Sequence, residues 1–111
     1  MSAGKHNIII DQGATFELTL TIKIGGSVKD LTGYSARAML RSKLEATDST
    51  AFTCTVTNAS GGVLTMGLTP AQTDAISAGR YVYDLEIFTG SDAIVNRIIE
   101  GYVEVKRGVT R

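Results

Sequence analysis

The side chains best placed for chemistry are four carboxylates in the last third of the chain: Asp84, Glu86, Glu100 and Glu104. Residues two apart in a β-strand point to the same side, so Asp84 and Glu86 share a face, as in an acidic cation site. No ligand-rich loop accompanies them, and Arg80 and Arg97 are close enough in sequence to be cross-strand partners. The pattern is more typical of a salt-bridged surface, so we expect no metal and no cofactor.

Cys54 and His6 are the candidates for nucleophilic or acid–base chemistry. One cysteine in the sequence excludes an intrachain disulfide and a cysteine-based zinc site. Cys54 alternates with Phe52 and Val56, which predicts a small core residue. His6 has no second His or Cys at ligand spacing and no evident nucleophile to serve. We therefore expect no enzymatic activity and no small-molecule substrate.

The charge balance and the N-terminal residues exclude two classes of partner. Eleven Lys and Arg residues match eleven Asp and Glu residues, so no net field attracts nucleic acid or an anionic membrane. The apolar run at residues 8–10 is far shorter than the ~20 residues of a membrane span or the apolar region of a signal peptide. We expect synthesis in the cytoplasm, with neither nucleic acid nor membrane as partner.

The length and composition indicate one folded domain. The chain has 111 residues, of which 43% are hydrophobic and 20% charged, enough to enclose one core. We expect a single domain over residues 1–111 with flexible ends at 1–6 and 107–111. The segments 6–10 and 106–111 lack the apolar periodicity that would anchor them deeply in that core.

Alternating apolar and polar residues predict β-strands along most of the chain. The clearest run covers residues 14–24 and ends at Gly25-Gly26, a pair suited to a tight turn. Alternation returns over residues 34–41, 52–56, 64–68, 80–88 and 94–105. The inward positions expected to be buried include Leu18, Leu20, Ile22, Leu85 and Ile87.

The segments between these strands carry turn and cap residues. Residues 43–50 are polar and predict a connection between sheets, while 58–62 and 89–92 predict hairpin loops. Thr69-Pro70-Ala71-Gln72 predicts a short helical turn with a capping box, and Ile76 would plug one end of the core. Short strands at regular spacing predict an all-β, immunoglobulin-like sandwich of about seven strands with one short helical turn.

Three sets of residues resemble the immunoglobulin-like N-terminal domain of phage baseplate upper proteins and related small virion proteins. The sets are Asp11-Gln12-Gly13-Ala14-Thr15-Phe16 with Asp30-Leu31-Thr32-Gly33-Tyr34-Ser35-Ala36-Arg37, Leu68-Thr69-Pro70-Ala71-Gln72-Thr73 with Ala78-Gly79-Arg80-Tyr81-Val82-Tyr83-Asp84-Leu85-Glu86, and Glu100-Gly101-Tyr102-Val103-Glu104-Val105. The resemblance implies a structural module of a phage tail, neck, baseplate or capsid decoration, without catalytic residues. The baseplate proteins are longer, which favours a stand-alone virion component.

Two functional hypotheses follow. The first is a non-enzymatic structural component of a bacteriophage particle, located in the virion, whose partners are other virion proteins and copies of itself. The second is a carbohydrate- or host-surface-binding sandwich, against which the absence of Trp argues. For the first hypothesis, the expected interface residues are on the last strand and the tail: Ile98, Tyr102, Lys106, Arg107 and Arg111.

Overall fold

The structure is a computed structural model that describes residues 4–42, 49–90 and 94–108. Its strands are β1 Gly4–Lys5, β2 Ile8–Asp11, β3 Phe16–Thr21, β4 Lys23–Ile24, β5 Ser27–Val28, β6 Tyr34–Arg41, β7 Thr50–Asn58, β8 Val63–Leu68, β9 Gly79–Thr89 and β10 Val95–Lys106. The one helix among these residues is α1, Pro70–Asp74, so the predicted all-β fold is confirmed. Within the same ranges no helix has the length and apolar character to cross a membrane.

The main sheet curls until its two ends face each other. Its strand order is β1-β10-β9-β6-β7-β8-β3, with β2 also paired to β10. Strand β7 causes the curl, because residues 50–52 pair with β6 whereas most of residues 53–58 pair with β8. Inward side chains from both ends therefore meet in one core, an arrangement compatible with the expected immunoglobulin-like sandwich.

The core is continuous between the two ends of the sheet. The Phe52 ring centroid lies 5.9 Å from that of Phe16 on β3 and 6.3 Å from that of Tyr83 on β9. Aromatic pairs at these separations add to the stabilisation from buried area. Phe52 thus connects both halves of the sheet at the point where β7 passes from one to the other.

The burial predictions are confirmed for some residues and wrong for others. Ile22, Leu85 and Ile87 are buried. Leu18 and Leu20 are only half-buried, although they pack against the core. Their strand, β3, ends the sheet order, so no neighbouring strand covers its second edge.

The first alternating run forms two strands instead of one. The Ile22 amide donates to the Gly62 carbonyl (2.7 Å), and the Ile22 carbonyl accepts from the Lys29 amide (2.9 Å). The first bond extends the pairing of β3 with β8 by one residue. The second bond closes the base of the β4–β5 hairpin, into which the chain continues. Gly25 and Gly26 have φ values of 61° and 83°, so the predicted glycine turn is confirmed.

The N-terminal segment is part of the core, so the expectation that residues 6–10 are weakly anchored is wrong. Strand β2 runs parallel to β10, with Ile8 opposite Val103 and Ile10 opposite Val105. Ile10 is completely buried and Ile8 is 5% exposed. Two alternating isoleucines are enough to anchor this segment in the core, because β10 supplies the strand with which it pairs. Residues 1–3 and 109–111 lie outside the described ranges, and flexibility of the ends stays a prediction.

The Asp30–Gly33 run is a turn whose residues have structural roles. One Asp30 carboxylate oxygen accepts from the Thr32 amide (2.9 Å) and hydroxyl (2.6 Å). Leu31 is fully buried, and its carbonyl accepts from the Tyr34 amide (2.9 Å). Gly33 has a φ of 83°, which favours glycine. These contacts account for this motif without a ligand.

The predicted helical turn and its capping box are confirmed. The Thr69 hydroxyl accepts from the Gln72 amide (3.2 Å), and the Gln72 side-chain oxygen accepts from the Thr69 amide (2.8 Å). Ile76 is buried, as expected. Its carbonyl accepts from the Gln12 side chain (2.6 Å). The Thr73 hydroxyl donates to the Ala14 carbonyl (2.9 Å), so the runs at residues 11–16 and 68–73 meet at one end of the core.

Tyr81 makes a contact that sequence reasoning missed. Its hydroxyl donates to the Ser77 carbonyl, 2.7 Å away and four residues upstream. A tyrosine at this corner, bonded back to the preceding backbone, is a feature of immunoglobulin-like sandwiches. The contact is therefore compatible with the expected architecture.

Two predicted connections are described in part. Strands β9 and β10 are antiparallel, and the Thr89 hydroxyl and amide both bond to the backbone of Ile94, at 3.1 and 3.0 Å. This confirms a hairpin, although residues 91–93 lie outside the described ranges. Most of the polar connection at 43–50 also lies outside them.

Candidate functional site

The candidate site is the face of β6, β9 and β10 that points away from the core. Because side chains alternate along a strand, buried Leu85 and Ile87 leave Asp84 and Glu86 on the opposite side. We call this surface the outer face. Its residues are Arg37, Met39 and Arg41 on β6, Arg80, Val82, Asp84 and Glu86 on β9, and Arg97, Glu100, Tyr102 and Glu104 on β10.

Three carboxylates of the outer face form ion pairs within the chain. Asp84 Oδ2 lies 3.2 Å from Arg97 Nε, so Arg97 is a partner of the acidic residues, as predicted. Glu86 Oε1 accepts from Arg37 Nε at 2.8 Å, and Glu100 pairs with Lys5.

Arg80 differs from its expected role. It lies opposite Glu104 in the strand register, but its guanidinium lies over the Tyr102 ring, 5.0 Å from the centroid. A cation over an aromatic face is attracted to the ring quadrupole. This interaction helps to position Tyr102 on the outer face.

Arg37 and Lys5 are the partners that sequence reasoning missed. Alternation over residues 34–41 already indicated that Arg37 points outward. Pairing it with Glu86 also required knowing that β6 lies next to β9, and pairing Lys5 with Glu100 required the parallel strand β1.

The middle of the outer face is an open depression that contains Asp84 among its lining residues. Partial burial raises the pKa of Asp84, while the Arg97 guanidinium opposes that change. The hydrogen bond from Lys5 lowers the pKa of Glu100. Among the described residues, no three His, Cys, Asp or Glu side chains are grouped as metal ligands.

Tyr102 and Met39 are exposed apolar side chains at this depression. Tyr102 is 51% exposed and Met39 is 41% exposed. Arg80 contacts the Tyr102 ring but does not line the depression. The site thus combines accessible apolar surface with charges that are already paired.

The interface residues expected from the sequence have different environments. Tyr102, Lys106 and Arg107 are exposed, and Lys106 ends β10 opposite Asp11. Ile98 is half-buried against the core, so its expected exposure is wrong. The register shift between Arg97 and Ile99 turns Ile98 out of regular alternation. Arg111 lies outside the described residues.

Cys54 and His6 are separate from the outer face. Cys54 is half-buried and packs against the core, as a small core residue would, and burial raises the pKa of its thiol to about 11. A thiol with such a pKa is almost entirely protonated near neutral pH and is a poor nucleophile. His6 contributes its backbone, since its carbonyl accepts from the Tyr83 hydroxyl at 2.6 Å.

Comparison with known proteins supports the fold and nothing finer. No protein-family model matches the chain, and no curated protein matches it. The chain is similar in structure to InlP of Listeria monocytogenes, with a TM-score of 0.52 and 16% identity. The similarity covers 94% of this chain and 27% of InlP. At this identity the likeness concerns the fold alone.

The raised pKa of Asp84 predicts a pH-dependent effect of Asp84→Asn. Because the folded-state pKa lies above the ordinary 3.8, ionising Asp84 lowers stability as pH rises from that value through the folded pKa. We compare the free energy of unfolding of the variant with that of the unsubstituted chain, and this difference should be more positive at about pH 7 than at about pH 2.5. The change between the two pH values should be less than about 1 kcal/mol, because Asp84 is partly exposed. Urea unfolding at both pH values measures this difference.

Asp30→Asn is the matched control, because hydrogen bonds from Thr32 lower the pKa of Asp30. The ionised Asp30 carboxylate therefore stabilises the fold above pH 3.8, and this contribution is lost as the pH falls through the folded-state pKa. The two variants should therefore respond to pH in opposite directions. The same direction for both would contradict the assigned environment of Asp84.

Proposed function

We propose that this chain is a non-enzymatic structural component of a bacteriophage particle that acts through protein–protein contacts at its outer face. The observation that carries this proposal is the position of the exposed apolar side chains. Among the described residues, the large ones are Ile9, Val28, Met39, Ile94, Val95 and Tyr102. All but Val28 lie on β2, β6 or β10, or directly before β10. Met39 and Tyr102 line the depression of the outer face, and Ile9 lies opposite Glu104 at its edge. Exposed apolar side chains on one face favour a docking role.

The ion pairs of the outer face also suit an interface. An unpaired charge is costly to remove from water, whereas a charge that keeps its partner costs less. Arg37, Glu86, Arg97 and Asp84 are already paired within the chain. A partner can cover them without having to neutralise each one.

The assignment to a phage particle rests on the ordered runs that resemble baseplate upper proteins. Two of those runs form the turn at Asp30–Gly33 and the capped helix α1, which are elements of the fold. The third includes Tyr102 on the outer face. The proposed partners are other virion proteins and copies of the chain, and the proposed location is the virion.

Mass spectrometry of purified particles tests this proposal. Peptides of the chain should be present in particles made from a genome that encodes it, and their absence would contradict the proposal. A Met39→Lys, Tyr102→Lys double variant should enter particles at least about ten-fold less, because it places charge in the interface. Val28→Lys is the control, since Val28 is 46% exposed but lies on β5, away from the outer face.

A carbohydrate- or host-surface-binding module is the second candidate, and Tyr102 favours it. A half-exposed tyrosine beside a depression with carboxylates offers a stacking surface and hydrogen-bond acceptors for a sugar. Binding of the purified domain to host-cell polysaccharide would be lost in Tyr102→Ala under this hypothesis. Retention of particle entry by that variant together with lost sugar binding would favour the second candidate.

A further inference from the structure

The charges of the outer face form a pattern that is complementary to itself. Along β9, Arg80 stands at one end of the face and Glu86 at the other. Along β10, Glu104 lies opposite Arg80 and Arg97 lies opposite Glu86. Each strand therefore has opposite charges at its two ends, and the order of the charges is reversed between the strands.

We propose that the outer face binds a second copy of this chain about a two-fold axis that runs across the strands. This proposal rests on the proposed structural role and names the partner for it. The axis would pass between the row of Val82 and Tyr102 and the row of Asp84 and Glu100. Rotation about it places Arg80 over Glu86 of the second copy.

The same rotation brings Glu104 of one copy over Arg97 of the other. Symmetry repeats both contacts, so each end of the interface has two cation–carboxylate pairs. The exposed fraction of the side chain is 24% for Glu86 and 54% for Arg97. Each can therefore contact a second partner while its intrachain pair persists.

The middle of this arrangement contains one apolar row and one acidic row. The rotation places Val82 of one copy over Asp84 of the other, and Tyr102 over Glu100. Asp84 keeps its ion pair with Arg97 and Glu100 keeps its ion pair with Lys5, so neither carboxylate is left unpaired when the second copy covers it. Two sheets packed face to face lie about 10 Å apart, a distance that these long side chains span from both sides.

Complementary charge variants test the proposal in solution. Sedimentation equilibrium should show a dimer for the unsubstituted chain. Arg80→Glu and Glu86→Arg should each weaken dimerisation more than about ten-fold, because each sets like charges opposite one another. An equimolar mixture of the two variants should form a heterodimer, since both cross-copy pairs are then opposite in sign.

The mixture separates an effect on docking from an effect on folding, because a misfolded variant would not regain association. Val28→Lys is the control and should dimerise normally. A monomeric unsubstituted chain at millimolar concentration, or a mixture that remains monomeric, would overturn the proposal. Particle entry by a chain that is monomeric in solution would overturn this interface alone and leave the structural role intact.

Discussion

Gly101→Ala is expected to detach the N-terminal strand and to lower the free energy of unfolding by about 3 kcal/mol or more. A Cβ atom at Gly101 would lie 2.9 Å from the carbonyl carbon of His6 and closer still to its oxygen. That oxygen accepts from the Tyr83 hydroxyl, so the segment has little room to shift. Moving it would expose Ile8 and Ile10, whose burial contributes roughly 1.5 to 3 kcal/mol each.

Urea unfolding and hydrogen exchange of the β2 amides measure this effect. Gly90→Ala is the matched control, because a Cβ at Gly90 meets nothing within 4 Å. The control should unfold at nearly the same urea concentration as the unsubstituted chain. Equal midpoints for the two glycine variants would show that β2 does not pack over Gly101 as described.

Leu85→Ala is expected to cost roughly 2 to 5 kcal/mol, since a fully buried leucine leaves a cavity that its neighbours fill incompletely. Leu85 is 0% exposed and lies on β9 between β6 and β10. Strand β9 is paired along both edges, so the residues around the cavity have little freedom to move into it. The unfolding midpoint in urea, converted with a common slope, gives the difference.

Leu18→Ala removes the same atoms from a half-buried position on edge strand β3 and is the control for Leu85→Ala. It should cost at least about 1 kcal/mol less, because part of the Leu18 side chain is already in contact with water. A larger loss at Leu18 than at Leu85 would contradict the core described above.

Local features of the fold were predictable from the sequence because they depend on residues close together in the chain. The alternation that places Leu85 inward and Asp84 outward is set by the geometry of one strand. The capping box of Thr69 and Gln72 spans four residues, and the turn at Gly25-Gly26 needs only two. Each was confirmed because no distant partner is required to form it.

Contacts between distant segments required the tertiary structure. Ile8 and Ile10 gave no strong signal by themselves, and they are buried because β10, about 95 residues later, accepts them as a parallel strand. Leu18 is the opposite case. It lies in a regularly alternating run, which predicts burial, but it is only half-buried because β3 is at the edge of the sheet.

The candidate site also combines features that were predictable from the sequence with features that required the tertiary structure. Its acidic residues and the pairing of Arg97 with this group were predictable, because β9 and β10 form a hairpin and are adjacent in sequence. Arg37 and Lys5 come from β6 and β1, which only the strand order places beside β9 and β10. The sequence alone therefore determined which faces are polar, because alternation is local. The tertiary structure decided which charges meet, because strand order is set by the packing of the whole core.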